Sequence, residues 1–155
     1  MENIYKEKTP LYVAQELFPY LDRQCKNSKF ILNTRNKQNW LKSRILHENG
    51  EYLNYVANKL SISKDDVVKE WERDWDSHHI SVIDYFRDRP NDLLIFDIET
   101  DPIEKLIYFL KGYLKLDRKY YIHRGKSTNN FNIGMLDYET RDLYNKYTVT
   151  IPKIV

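Results

Sequence analysis

An arginine and a serine in the first third of the chain have the spacing expected of a phosphate-binding pair. Arg35 follows a short apolar run at residues 29–34, and Ser43 comes eight residues later in a helix-like segment. Arginine presents a planar fork of charged donors to phosphate oxygens, and a serine hydroxyl adds one directional hydrogen bond. Ligands of open α/β sheets bind outside the carboxyl ends of the strands, where both residues would lie. The alternative is a surface arginine after a buried strand and an unrelated helix serine.

A second basic group stands at Arg124, Gly125 and Lys126. The run Gly-Lys-Ser-Thr that starts at Gly125 matches the end of a Walker A loop. That motif needs another glycine five residues earlier, where this chain has Tyr120. Because no strand clearly leads into the run, we exclude a P-loop NTPase. On their own, Arg124 and Lys126 are interpreted most simply as solvated loop charges.

Two adjacent histidines, His78 and His79, are the best candidates for metal ligands. A metal site on a helix would need ligands one turn apart on one face, such as Asp74 with His78. Adjacent histidines point in different directions, and no third ligand is evident. We therefore predict helix histidines that lie at the surface or are half-buried, and no metal.

Two carboxylates, Asp97 and Glu99, end a second apolar run at residues 93–98. Carboxylates at the carboxyl edge of a strand could take part in acid–base chemistry. Their alternation places both on one face, and capping of the turn at Asp101 and Pro102 is the simpler role. The lysines between residues 105 and 119 are interpreted as a solvated face.

Composition limits the classes of function. With 25 basic and 23 acidic residues among 155, the net charge is only +2, too little for a general nucleic-acid binder. Cys25 is the only cysteine, so an intrachain disulfide and a cysteine-based zinc site are both excluded. No apolar run approaches the length of a membrane span, and the N-terminus lacks the apolar core of a signal peptide. We expect a cytoplasmic protein with no membrane partner and no nucleic-acid partner.

Hydrophobic periodicity and capping residues predict a helix-rich α/β chain. A helix is expected to start at Thr9-Pro10 and to be kinked or split at Pro19, and Ser63 should cap the longest helix. The region 127–155 is interpreted as an irregular tail with one or two short strands, such as residues 147–151. The predicted helices are residues 9–25, 37–47, 50–60, 63–89 and 101–114, and the predicted strands are residues 29–34 and 93–98.

The two predicted strands create a physical problem. Near-continuous apolar runs are typical of buried parallel strands, which need neighbours on both sides. Two such strands make an incomplete sheet. We therefore expect the C-terminal tail, a second copy in a homodimer or a partner chain to complete it.

Two blocks of the sequence resemble sulfotransferases that use 3′-phosphoadenylyl sulfate (PAPS). Residues 28–43 are similar to the strand and helix that bind the 3′-phosphate in that family. Residues 85–99 are similar to its later Tyr-Phe helix end, Arg-Pro turn and strand ending in Asp-Ile-Glu, and the similarity continues through Lys105 and Phe109. The resemblance covers roughly residues 10–130 and implies a single, partial domain with a P-loop-like sulfotransferase fold over residues 1–155.

The resemblance also implies roles for individual residues. Arg35 and Ser43 would hold the 3′-phosphate of PAPS or of adenosine 3′,5′-bisphosphate. Arg124, Gly125 and Lys126 would form the basic loop that closes over it, although cytosolic family members have Arg-Lys-Gly where this chain has Arg-Gly-Lys. His78 matches a histidine of bacterial-type relatives and would lie on the substrate side.

One part of the family pattern is missing. No phosphosulfate-binding loop of the Ser-Gly-Thr-Thr kind precedes residue 29, because all four glycines come later. The chain therefore resembles the C-terminal portion of a sulfotransferase, beginning at its own Met1. Glu7 and Glu16 are among the few carboxylates before residue 29, and the residues do not identify a catalytic base.

The expected function is binding of PAPS or adenosine 3′,5′-bisphosphate and transfer of a sulfuryl group to a hydroxyl or amine of a small molecule or glycan. The alternative is a catalytically silent nucleotide-binding domain or a helix-rich interaction domain derived from a sulfotransferase. The acceptor and the oligomeric state are not readable from this sequence.

Overall fold

A computed structural model describes residues 4–6, 9–11, 13–121 and 133–147 of the chain. Within these residues the chain is helix-rich α/β, as predicted. The strands are β1 (Ile4–Lys6), β2 (Thr9–Leu11), β3 (Phe30–Thr34) and β4 (Leu93–Asp97). The α-helices are α1 (Val13–Glu16), α2 (Phe18–Gln24), α3 (Lys37–Ile45), α4 (Glu51–Leu60), α5 (Lys64–Tyr85), α6 (Ile103–Phe109) and α7 (Tyr138–Lys146). Short 3-10 turns lie at His47–Gly50, Pro90–Asp92, Arg118–Tyr120 and Ile133–Met135.

The chain forms two compact units. The first unit is Met1–Arg35 with Asp76–Lys126, and the second is Asn36–Trp75 with Ser127–Val155. The first unit holds both pairs of strands, and α5 contributes its C-terminal part to the first unit and its N-terminal part to the second.

The first unit is built on the parallel pair β3 and β4. Its faces are only half covered by the described residues. On one face Leu32 is buried against Val82 and Phe86, while Ile95, its register partner on β4, is 40% exposed. On the other face Leu94 is buried, while its partner Ile31 is 43% exposed. This parallel sheet has two strands among the described residues, which matches the prediction of an incomplete sheet.

The second unit has a core of its own, formed where α3, α4, α7 and the N-terminal part of α5 meet. Helix α5 begins as predicted, because Ser63 Oγ accepts a hydrogen bond from the Asp66 backbone N–H at 3.1 Å. Trp40 packs against this core and against the Trp75 ring. The buried core residues are Leu41, Ile45, Leu53, Val56, Ala57, Val67, Val68, Trp71 and Leu143.

The prediction that a helix starts at Thr9 is wrong. Thr9–Leu11 is instead a strand that pairs antiparallel with Ile4–Lys6. Proline lacks an N–H to donate but tolerates an edge strand, so Pro10 is compatible with this pairing. Helix α2 begins after Leu17, and Pro19 lies in its first turn, where its missing N–H is tolerated. The predicted break is therefore a split into two helices.

Two further boundaries differ from the prediction. Helix α6 ends at Phe109, well before residue 114, and Gly112 then takes a left-handed φ of 99°. Part of the tail expected to be irregular forms α7, because Asp137 accepts a hydrogen bond from the Thr140 N–H and caps the helix. Tyr147 ends α7, and the rest of the strand suggested at residues 147–151 lies outside the described residues.

Among the described residues, no helix combines the length and the apolar character needed to cross a membrane.

Candidate anion-binding site

The parallel pairing of β3 and β4 places their carboxyl ends side by side. Thr34, the last residue of β3, is in register with Asp97, the last residue of β4. The Ile98 N–H donates to the Thr34 carbonyl at 2.9 Å and extends the ladder by one bond. Arg35 and Glu99 therefore emerge from neighbouring strands at one edge, which is where open α/β sheets bind ligands.

Arg35 and Glu99 form an ion pair at this edge. The Arg35 Nη2 lies 2.7 Å from the Glu99 Oε1, and the Arg35 Nε donates to the same oxygen at 3.0 Å. Both side chains are partly exposed, at 28% for Arg35 and 27% for Glu99. The arginine predicted to hold a phosphate thus forms an ion pair with a carboxylate whose simpler predicted role was to cap a turn.

The turn that carries Glu99 is held by its own hydrogen bonds. The Glu99 N–H donates to the Asp97 Oδ1 at 2.8 Å, and the Asp97 N–H donates to the Asp101 Oδ2 at 2.8 Å. Lys105 Nζ donates to the same Asp101 oxygen at 2.7 Å, and this bond is the main cause of a lowered pKa of Asp101. The predicted turn-capping role thus belongs to Asp97 and Asp101.

A histidine also reaches the end of β3. His79 Nε2 lies 2.9 Å from the Thr34 hydroxyl oxygen, and both residues are half-buried, as predicted for the histidine. Burial and the neighbouring His79 lower the pKa of His78, whose ring lies edge-on to Phe18. Sequence reasoning missed the link from Thr34 to His79. Alternation along β3 was the available signal, because Thr34 shares a face with Leu32, which packs against α5.

Ser43 lies on α3 in the second unit, and its side chain is exposed. The helix begins as a capped helix, since the Asn36 side chain accepts a hydrogen bond from the Asn39 N–H at 3.1 Å. Arg35 belongs to the first unit. The two predicted phosphate ligands are therefore in different units, and each is described only within its own unit.

The remaining predicted ligands, Arg124, Gly125 and Lys126, lie outside the described residues. Among the residues that the structure does describe, no group of three or more histidine, cysteine or acidic side chains is arranged to hold a metal ion.

Comparison with known proteins adds no family assignment. No protein-family model matches the chain, and no curated protein and no solved structure matches it.

Proposed function

We propose that this chain binds the 3′-phosphate of PAPS or of adenosine 3′,5′-bisphosphate through Arg35. The observation that carries the proposal is the position of Arg35 directly after β3, beside the end of the parallel partner β4. A guanidinium at that edge offers charged, directional donors where a nucleotide phosphate would lie. The resemblance of residues 28–43 and 85–99 to PAPS-dependent sulfotransferases supports the choice of nucleotide.

The reaction proposed for this nucleotide is sulfuryl transfer. An acceptor hydroxyl or amine would form a bond to sulfur in line with the bond that breaks to the phosphate oxygen, and adenosine 3′,5′-bisphosphate would leave. The acceptor proton must pass to a base, and cations must neutralise the leaving phosphate. Arg35 would position the nucleotide by its 3′-phosphate, with Arg124 and Lys126 as further hydrogen-bond donors.

A partner strand is part of the same proposal. A P-loop-like sulfotransferase fold has a wider parallel sheet than the pair β3 and β4. The exposed Ile31 and Ile95 flank this pair on opposite faces and would be covered if further strands and helices extended the sheet. A second copy in a homodimer or a separate chain in the cytoplasm would supply them.

The test is calorimetric titration of the purified chain with adenosine 3′,5′-bisphosphate, with 5′-AMP as the control ligand. We expect binding of the bisphosphate only. Arg35→Ala should weaken it roughly tenfold to a hundredfold, as expected for a lost charge-assisted hydrogen bond. Arg73→Ala, which removes a 68% exposed arginine from α5, is the matched control and should bind normally.

Equal binding of bisphosphate and 5′-AMP, or no effect of Arg35→Ala, would reject the 3′-phosphate site. Binding without transfer of radiolabelled sulfate from PAPS to any hydroxyl or amine acceptor would favour the catalytically silent nucleotide-binding domain.

A further inference from the structure

Glu99 occupies one edge of the Arg35 guanidinium. A guanidinium has five N–H donors, and one Glu99 oxygen accepts from the Nε side and from Nη2. The turn that carries this carboxylate is held in place, because the Glu99 backbone N–H donates to the Asp97 Oδ1 at 2.8 Å. The structure thus contains a built-in anion at the arginine that is proposed to bind phosphate.

We propose that Glu99 is the exchange partner of Arg35, holding the guanidinium while the nucleotide site is empty and yielding it when a phosphate binds. This inference rests on the proposed function and adds a mechanism of regulation to the same site. A phosphate monoester carries a charge of about −1.5 to −2 at neutral pH and three acceptor oxygens, whereas a carboxylate carries one charge and two oxygens. The phosphate is therefore the stronger partner for the fork and displaces Glu99.

The exchange lowers affinity and speeds release. Every binding event must break the ion pair between Arg35 and Glu99, so the net affinity for the nucleotide is smaller than the arginine alone would give. When the bisphosphate product leaves, Glu99 returns to the guanidinium and competes with rebinding. The partial exposure of both side chains permits this exchange, since neither side chain is buried in the core.

Electrostatic repulsion between Glu99 and the bound phosphate also lowers the affinity for the nucleotide. Glu99 remains tethered to its turn after displacement, and its negative charge stays within a few ångströms of the bound phosphate. At an exposed site a single pair of charges at such a distance changes affinity by roughly fivefold to tenfold. Removal of the charge should therefore strengthen binding, an outcome that damage to the fold does not produce.

The test compares wild type with Glu99→Gln, which keeps the side-chain length and removes the charge. Calorimetry with adenosine 3′,5′-bisphosphate should show roughly tenfold tighter binding, and stopped-flow displacement should show that the gain is mainly a slower dissociation rate. Glu104→Gln is the matched control, because Glu104 is an exposed glutamate of the same unit that pairs with Arg118. Glu104→Gln should leave both the affinity for the bisphosphate and its dissociation rate unchanged. Glu99→Ala, which also removes the charge, serves as a second variant if Glu99→Gln does not fold, and it should bind the bisphosphate more tightly than wild type.

The outcomes separate this inference from the proposed function. Bisphosphate binding that is equal in wild type and Glu99→Gln would overturn the exchange while leaving the nucleotide site intact. Weaker binding by a folded Glu99→Gln variant would also overturn it, because Glu99 would then orient Arg35 for the ligand. If neither protein binds the bisphosphate, the proposed function fails and the inference fails with it.

Discussion

Thr34 and His79 join the end of β3 to the long helix α5 through a hydrogen bond of 2.9 Å. The bond lies one residue before Arg35, at the point where the strand leaves the sheet. It supplements the hydrogen bond from the Ile98 N–H to the Thr34 carbonyl, so both the backbone and the side chain of Thr34 are engaged. The strand end that presents Arg35 is thereby fixed from two directions.

Thr34→Val should destabilise the protein without removing volume. Valine has the shape of threonine but cannot bond to the His79 ring, so a half-buried polar partner is left without this contact. We expect a loss of about 1 kcal/mol in the free energy of unfolding, measured by urea denaturation. Thr100→Val is the control, because Thr100 is an exposed residue of the turn after β4, and it should change the free energy of unfolding little. Equal effects of the two substitutions would show that the Thr34 bond contributes nothing to stability.

Asp137 should make the stability of the second unit sensitive to acid. Burial by itself would raise the pKa of Asp137, but hydrogen bonds from Lys64 and Thr140 outweigh it and lower the pKa from 3.8 to about 2. Lys64 Nζ lies 2.8 Å from the carboxylate, which also caps α7. Because the folded pKa is the lower one, this stabilisation is present above about pH 4 and disappears as the pH falls toward 2.

The size of the acid effect is modest, because the Asp137 side chain is 46% exposed and solvent screens its ion pair. We expect a loss of about 1 kcal/mol between pH 4 and pH 2 that is absent in Asp137→Asn. Asp142→Asn, at an exposed position of the same helix, is the control and should keep the wild-type pH profile. An unchanged acid profile in Asp137→Asn would contradict the assignment.

Local sequence signals predicted the elements that position Arg35. The apolar runs predicted β3 and β4 to within a residue of their observed bounds, and Ser63 provides the cap expected before α5. Parallel pairing followed from the near-continuous apolar character of both runs. These features depend on a few neighbouring residues, which is why a single sequence reveals them.

Contacts between distant residues were not predictable in the same way. Arg35 and Glu99 are 64 residues apart, and Thr34 and His79 are 45 apart. Many charged residues compete as partners for Arg35, and spacing along the chain does not distinguish them. The same limit applies to β2, where pairing with Ile4–Lys6 overrides the local helix signal of Thr9-Pro10.

Arg44 should be a stabilising residue of the second unit through contact with aromatic rings. Its guanidinium carbon lies 4.5 Å from the Trp71 ring centre and 4.8 Å from that of Trp40. Its Nη2 also donates to the Tyr52 hydroxyl at 3.3 Å. A planar guanidinium stacks on these faces, whereas a lysine ammonium at the same place would be more strongly hydrated and would lose the stacking.

Arg44→Lys should therefore lower the free energy of unfolding by about 1 to 2 kcal/mol while keeping the charge. Urea denaturation followed by tryptophan fluorescence reports the stability of the protein and the combined environment of Trp40, Trp71 and Trp75. Arg73→Lys is the control, since Arg73 is 68% exposed and should tolerate the change. A wild-type midpoint in Arg44→Lys would mean that charge alone, without stacking, accounts for the role of Arg44.

Gly50 has little room for a side chain. Its φ of 90° is left-handed and follows two other positive values, at Glu48 and Asn49, in the turn that leads into α4. A Cβ added at Gly50 would lie 3.1 Å from the Thr140 Cγ2 and 3.3 Å from the Leu136 Cδ2. A substitution there meets both backbone strain and crowding against the segment that carries α7.

Gly112 allows the two costs to be measured separately. Its φ of 99° is equally unfavourable for other residues, but an added Cβ would meet nothing within 4 Å. Gly112→Ala should lose about 1 kcal/mol from backbone strain alone, and Gly50→Ala should lose roughly 2 to 3 kcal/mol because crowding is added. Thermal and urea unfolding of both variants give the comparison. A smaller loss in Gly50→Ala than in Gly112→Ala would show that Leu136 and Thr140 move aside, and that the approach of α7 to the turn before α4 is not tightly packed.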